Sequence, residues 1–178
     1  MTEHATSRDL EVLKQHIRAV PDFPQPGVLF RDITPLLADP VSFGLAVDAL
    51  AGPFSGVDKV VAIESRGFIL GAPVALALHA GLVPVRKVGR LPADTLREEY
   101  ALEYGANTVE IHRDAISPGD RVLIVDDVLA TGGTVRAAAN LVQRLGGVIV
   151  GVSLLIELSF LGGRERLKDL ELMTLLVY

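Results

Sequence analysis

Two adjacent carboxylates, Asp126 and Asp127, follow the apolar run Val122-Leu123-Ile124-Val125 and precede Val128-Leu129-Ala130-Thr131-Gly132-Gly133-Thr134. The run reads as a buried strand, and the residues from Thr134 to Leu145 read as the helix after it. In open α/β sheets ligands bind just beyond the carboxyl ends of the strands. The first turn of such a helix offers unpaired N–H groups and the positive end of the dipole. Gly132 and Gly133 let an anion approach the backbone, and Thr131 and Thr134 add hydroxyl donors, so the loop has the makings of a phosphate cradle. It lacks the Lys and the spacing of a Walker A loop.

Two carboxylates beside a phosphate repel it unless hydroxyls or a cation intervene. A ribose diol supplies the first, and Mg²⁺, which takes few carboxylates plus substrate phosphates, supplies the second. Acid pair plus phosphate loop therefore reads as a grip on ribose 5-phosphate. The bland alternative is an Asp cap and a Gly turn at an ordinary βα junction; strand, Asp-Asp and A-T-G-G-T together argue against it.

The elements that must position this loop follow from the apolar pattern. Residues 8–19 read as a first helix on Leu10, Leu13 and Ile17. Three prolines between Pro21 and Pro26 make a shaped, irregular loop. A helix from about Val41 to Leu50 starts at Asp39-Pro40. Lys59–Ile63 is a strand, Ser65-Arg66-Gly67 a turn, and Phe68–Ala80 a helix closed by Gly81. Leu82–Val85 is a short strand, and residues 86–106 are polar and irregular. Thr108–His112 alternates. Val148–Ile156 and Leu172–Val177 complete the strands, and Gly146-Gly147 caps the helix before them. Strands alternating with helices imply an α/β fold, with a mostly parallel twisted sheet flanked by helices.

The whole chain agrees. Its 178 residues suit one domain. It is 49% hydrophobic and 22% charged, so it can bury a core. The net charge of −5 gives no basic footprint for nucleic acid. No apolar run reaches the ~18 residues of a membrane span. The polar N-terminus has no signal-peptide core. The absence of cysteine excludes disulfides and thiolate metal sites and fits a cytoplasmic protein. The four histidines share no metal-like spacing. Alone, Arg66 could be a surface turn, Lys87 and Arg90 solvated charges, and Phe30 ordinary core.

The Asp126–Thr134 segment closely resembles the phosphoribosyl-diphosphate motif of type I phosphoribosyltransferases. Phe23-Pro24-Gln25-Pro26-Gly27-Val28-Leu29-Phe30-Arg31-Asp32-Ile33-Thr34-Pro35 resembles the N-terminal signature of the adenine-specific branch of that family. So do Glu64-Ser65-Arg66-Gly67-Phe68, Arg86-Lys87-Val88-Gly89-Arg90-Leu91-Pro92, Tyr100-Ala101-Leu102-Glu103-Tyr104-Gly105, Glu157-Leu158 and Gly163-Arg164-Glu165-Arg166. The resemblance runs from about Phe23 to the C-terminus. It departs at Arg90 and Val128, where many relatives carry Lys and Leu.

The resemblance implies transfer of phosphoribosyl from its diphosphate to adenine, giving AMP and pyrophosphate with Mg²⁺, in a homodimer. It implies one domain over 1–178, with a base-binding hood over about 1–36 and a mobile lid over about 89–105. Ala130-Thr131-Gly132-Gly133-Thr134 would hold the 5′-phosphate, and Asp126 and Asp127 would serve the ribose hydroxyls, with Mg²⁺ held through substrate and by this acid pair. Ser65, Arg66, Lys87, Arg86 and Arg90 would serve pyrophosphate; a cis peptide is expected at Glu64-Ser65, and Arg86 would reach toward a neighbouring subunit's site. Leu29, Phe30, Arg31, Leu129 and Leu158 would form the adenine pocket, with Phe30 stacking and backbone groups at Leu29 and Arg31 reading the base edge. Glu103 would handle the proton directly, through water, or by protonating the opposite imidazole nitrogen. Tyr100 and Tyr104 would belong to the lid, which would exclude water.

Two other functions compete. A phosphoribosyltransferase for a 6-oxopurine usually carries a Lys in the base pocket, and Val150–Leu158 offers none. A phosphoribosyl-diphosphate sensor controlling transcription would need a basic or helix-turn-helix extension, and the twenty residues before the Pro-rich loop show no basic face.

Overall fold

The computed structural model describes residues 6–101 and 106–178, and the chain divides into two compact units, Met1–Pro53 and Phe54–Tyr178.

In the first unit, α1 (Ser7–Gln15) opens on a capping box. Thr6 Oγ1 accepts from the Asp9 N–H, and the Asp9 carboxylate accepts from the Thr6 N–H. Strands β1 (Arg18–Pro21) and β2 (Leu29–Asp32) pair antiparallel around the Pro-rich loop. That loop is closed by the Gly27 N–H on Asp22 Oδ1 at 2.8 Å, and its Phe23-Pro24 peptide is cis. Asp32 accepts from the Thr34 N–H and hydroxyl just before α2 (Thr34–Ala38). Helix α3 (Pro40–Ala51) starts as expected, with Pro40 in its first turn and Asp39 Oδ1 accepting from the Ser42 N–H at 2.7 Å. The periodicity does not show β1, β2 or α2, each five residues or fewer.

The second unit is a seven-stranded sheet in the order β5-β6-β4-β3-β7-β8-β9. Its core strands β3 (Lys59–Ile63), β4 (Gly81–Lys87), β7 (Arg121–Leu129), β8 (Val148–Glu157) and β9 (Leu172–Val177) are parallel. At one edge β6 (Ala106–His112) pairs antiparallel with β4, and β5 (Thr95–Ala101) pairs antiparallel with β6. The mostly parallel α/β reading holds. Part of the stretch read as irregular between 86 and 106 is instead the strand β5. Its inward Glu98 breaks the apolar alternation, and it is satisfied by Asn140 Nδ2 at 2.8 Å and Arg144 Nη1 at 2.7 Å.

Helices flank the sheet on both faces. Successive strand residues face opposite sides, so Val61 and Ala62 serve different layers. Helix α5 (Gly133–Arg144) lays Val135, Ala138, Leu141 and Val142 on Val61, Ile63, Val122, Ile124 and Leu154. Each Val, Leu or Ile side chain so buried is worth roughly 1.5–3 kcal/mol. Helix α4 (Arg66–Ala77) lies on the Ala62 side, where Gly71 sits so close that a Cβ would lie 2.5 Å from the Ala62 Cβ. Gly81 does not close α4: His79 turns the chain at φ +54°, and Gly81 is the first residue of β4. Gly146 and Gly147 do close α5, at φ +86° and through the Gly147 N–H on Val142 O.

Glu110 on β6 is buried, yet charged. Its Oε1 accepts from the backbone N–H groups of Gly89, Arg90 and Leu91 at 2.9, 3.1 and 3.1 Å, and its Oε2 from the Thr95 hydroxyl at 3.1 Å. Burial pushes this pKa up, but the hydrogen bonds from Leu91, Thr95, Arg90 and Gly89 outweigh it and hold the carboxyl below its usual range. A lowered folded-state pKa gives stability that is present above the unfolded value and lost as pH falls through the folded one. Glu110→Gln is therefore expected to destabilise the fold by about 2–4 kcal/mol at pH 7.5, given about 1.5–3 kcal/mol for a hydrogen bond to a charged group. Urea unfolding at pH 7.5 and below pH 4 checks this: the difference should shrink in acid, and an unchanged difference would exclude the charge as its origin.

Candidate active site

Strands β3 and β7 are neighbours whose connections leave in opposite directions, β3 to β4 and β7 to β8. Right-handed crossovers then place α4 and α5 on opposite faces, and a crevice opens at the carboxyl ends between them. The register shows where it begins. The β3–β7 ladder ends at Ala62 opposite Val125, whereas β7 continues alongside β8 to Leu129. Asp126 and Asp127 thus lie inside a strand that runs further than its apolar run indicates, on the stretch that β3 no longer covers.

Both carboxylates are buried. Asp126 Oδ1 accepts from the Asp127 N–H at 2.9 Å, and the Arg66 Nε lies 2.8 Å from Asp127 Oδ2. Burial, then the neighbouring Asp127 charge, pushes the Asp126 pKa well up. Burial also raises Asp127, against the opposing pull of the Arg66 guanidinium. Gly67 makes the close approach possible: a Cβ there would lie 2.6 Å from Asp126 Oδ1 and 3.2 Å from the Val125 carbonyl oxygen. The turn after β3 is thereby pressed against the acid pair.

Helices α4 and α5 both begin at this crevice, and neither has a side-chain cap, so both present N–H groups outward. Gly132, at φ +78°, turns the chain into α5. Ala130, Thr131, Gly132, Gly133 and Thr134 line a small cleft of about 70 Å³ together with Asp126 and Leu129. The expected cis peptide between Glu64 and Ser65 is present.

Glu64 gathers the Arg86 side chain and the Lys87 backbone. Its Oε2 accepts from Arg86 Nε and from the Lys87 backbone N–H, both at 3.1 Å, and Arg86 Nη1 donates to the Arg90 carbonyl at 3.1 Å. The Arg86 guanidinium also lies over the Phe68 ring, 5.9 Å from its centroid. Burial raises the Glu64 pKa, but the bonds from Arg86 and Lys87 prevail and hold it low. Arg86 is thus engaged within its own chain. The sequence reading assigned Glu64 no such role, because its partners are more than twenty positions away.

Leu129 is fully buried, and its carbonyl accepts from the N–H of half-buried Leu158 at 2.9 Å. Leu29, Phe30 and Arg31 lie on β2 of the first unit; Leu29 is exposed, and Phe30 meets Phe23 edge-on at 5.1 Å. Tyr100 on β5 packs against the core of the second unit. Glu103 and Tyr104 lie outside the described residues, as does part of the expected lid.

A buried acid pair on the extended strand, an uncapped Gly-rich loop and an arginine-bearing turn meet at the carboxyl ends of a mostly parallel sheet. The family model described as phosphoribosyl transferase domain matches residues 46–171. The chain belongs to the adenine phosphoribosyltransferase family. It is 59% identical to adenine phosphoribosyltransferase of Thermobifida fusca, over 92% of this chain and 94% of that one. The crystal structure of the Rhodothermus marinus enzyme superposes with a TM-score of 0.93 at 56% identity, covering 97% of this chain and all of that one. The Saccharomyces cerevisiae enzyme, solved with adenine and an imino-altritol bisphosphate, superposes with a TM-score of 0.91 at 39% identity, over 96% and 99% of the two chains.

Proposed function

We propose that this chain converts adenine and phosphoribosyl diphosphate to AMP and pyrophosphate. The observation that carries the chemistry is the buried Asp126–Asp127 pair beside the uncapped Ala130–Thr134 loop. The adenine-specific relatives, similar along nearly the whole chain, support the choice of base.

The loop holds the 5′-phosphate on the N-terminal N–H groups of α5 and on the hydroxyls of Thr131 and Thr134. Asp126 and Asp127 receive the ribose hydroxyls. Breaking the bond from ribose C1 to pyrophosphate leaves positive character on the sugar and added negative charge on the leaving group. We assign that charge to Arg66, Lys87, Arg90 and the Ser65 N–H, since donors aimed at charge that develops in the transition state lower the barrier. Glu64 holds Arg86 and the Lys87 backbone in place for this.

The donor set suits Mg²⁺. Asp126 and Asp127 offer hard oxygens, while no cluster of three or more His, Cys, Asp or Glu among the described residues could hold an ion alone, so the substrate would complete the coordination. When bound, Mg²⁺ neutralises diphosphate charge. On the family's pattern, we assign adenine recognition to Leu129 and Leu158 in the second unit and to Leu29, Phe30 and Arg31 in the first, and proton handling to Glu103. The lid around Tyr100 and Tyr104 excludes water, which competes for ribose C1. A homodimer in the cytoplasm fits the family; no helix among the described residues is long and apolar enough to cross a membrane.

The test offers adenine, hypoxanthine, guanine and xanthine separately to the purified protein with Mg²⁺ and phosphoribosyl diphosphate. Turnover with adenine alone is expected. Glu103→Ala should lower kcat by about 10²–10⁴-fold, the usual worth of general acid–base help. Turnover only with an oxopurine would overturn the base assignment. Tight donor binding without turnover would point to a sensor.

A further inference from the structure

The segment after β8 packs directly behind the phosphate loop. Gly163 lies so close to it that a Cβ there would sit on the Ala130 carbonyl oxygen and 3.0 Å from the Gly132 nitrogen. The converse also holds: a Cβ on Gly132 would lie 2.6 Å from the Gly163 carbonyl oxygen. Two backbones touch here with no side chain between them. The loop's shape therefore depends on where the 162–169 segment is held.

Two clamps hold that segment. Buried Glu157, at the end of β8, takes Arg164 bidentately, Nε on Oε1 at 3.0 Å and Nη2 on Oε2 at 2.5 Å, and its Oε2 also accepts from the Thr174 hydroxyl at 2.9 Å. The Arg164 hydrogen bond is the main reason the Glu157 carboxyl is held below its usual range, against burial. The second clamp comes from α5 itself. Arg136, in its first turn, donates from Nε to the Arg166 carbonyl at 3.0 Å and from Nη1 to Asp169 Oδ2 at 3.0 Å. One clamp fixes the segment to β8 and β9, and the other fixes it to the helix whose N-terminus forms the cradle.

We propose that Gly163, backed by the Glu157–Arg164 pair, is a positioning residue that holds the Ala130–Thr134 backbone in its anion-binding shape. The inference rests on the reading of that loop as the 5′-phosphate site. Gly163 touches no substrate in this account. Its role is to leave the loop where its N–H groups converge, and an added methyl moves the loop because it meets backbone at Ala130 and Gly132, with Leu129 Cδ1 also 3.0 Å away. Pyrophosphate binding is spared, since the cations at Arg66 and Lys87 stand on other elements.

The experiment titrates ribose 5-phosphate and, separately, pyrophosphate with Mg²⁺ into the wild-type protein and the variants Gly163→Ala, Glu157→Gln and Thr134→Ala, with a thermal melt of each. Gly163→Ala is expected to weaken ribose 5-phosphate by about 10- to 100-fold, the scale of losing one hydrogen bond to a charged group, and pyrophosphate by less than about twofold. Glu157→Gln should show the same pattern with a smaller loss, and it keeps the question open to test where Gly163→Ala does not fold. Unchanged ribose 5-phosphate affinity in a folded Gly163→Ala, with Thr134→Ala impaired, overturns the positioning role alone. Equal loss of both ligands shows general loosening and also overturns it. Unchanged affinity in Thr134→Ala and Gly163→Ala alike would overturn the loop assignment together with the inference built on it.

Discussion

Asp126→Asn is expected to make the ligand-free protein more stable and the enzyme about 10²-fold less active, on about 1.5–3 kcal/mol for a hydrogen bond to a charged group and tenfold per ~1.4 kcal/mol. Asp126 is buried beside Asp127, and burial followed by that like charge raises its pKa well above the usual range. In the unfolded chain it ionises near pH 3.9. Between that value and the raised folded value, folding must take up a proton, so stability falls as pH rises. The amide has no proton to lose and can still accept from the Asp127 N–H. The variant should match the wild type below about pH 4 and gain on it as pH rises, by about 2–4 °C in Tm for each kcal/mol relieved. Melts at pH 4 and 8, paired with kcat/KM at pH 8, check both halves. A lower Tm at pH 8 would sink the account of the acid pair, and full activity would remove Asp126 from the ribose grip.

Arg66→Ala is expected to lower kcat by about 10²–10³-fold, the usual cost of removing a donor aimed at transition-state charge. Arg66 opens α4 and faces Asp127 at 2.8 Å, so its loss also strips a buried carboxylate of its counter-charge. A third of its side chain meets solvent, which screens the pair, so the stability cost should stay near 1–3 kcal/mol. The two effects separate in the double variant Arg66→Ala/Asp127→Asn. Neutralising Asp127 should restore most of the lost stability, because residues in contact are not additive, while activity stays low. Recovery of kcat in the double variant would mean that Arg66 serves only the fold.

What the sequence disclosed was local, and what it hid was distant. The acid pair, the Gly-rich loop and α5 occupy one continuous stretch in which strand, turn and helix signals follow each other. Glu64, Glu110 and Glu157 look like loop or strand charges until the sheet brings Arg86, the Gly89–Leu91 backbone and Arg164 with Thr174 to them. Strand β5 was concealed by Glu98, a charge at an inward position whose partners on α5 lie more than forty residues on. Gly67 and Gly163 carry no periodic signal, because what demands a glycine there is the backbone of another segment.

The sheet has two borders of unlike chemistry. The border strand β5 carries the exposed charges Arg97 and Glu99, and charges of this kind discourage another chain from pairing along an edge. The other border, β9, reads Leu-Met-Thr-Leu-Leu-Val and carries no charge. It is fastened at its end by the Tyr178 N–H on the Glu157 carbonyl and by the Ser159 N–H and hydroxyl on the Tyr178 carbonyl. Fraying of that last fastening would bare an uncharged, β-prone template, so aggregation of this protein should nucleate at its carboxyl-terminal strand rather than at the polar hairpin across the sheet.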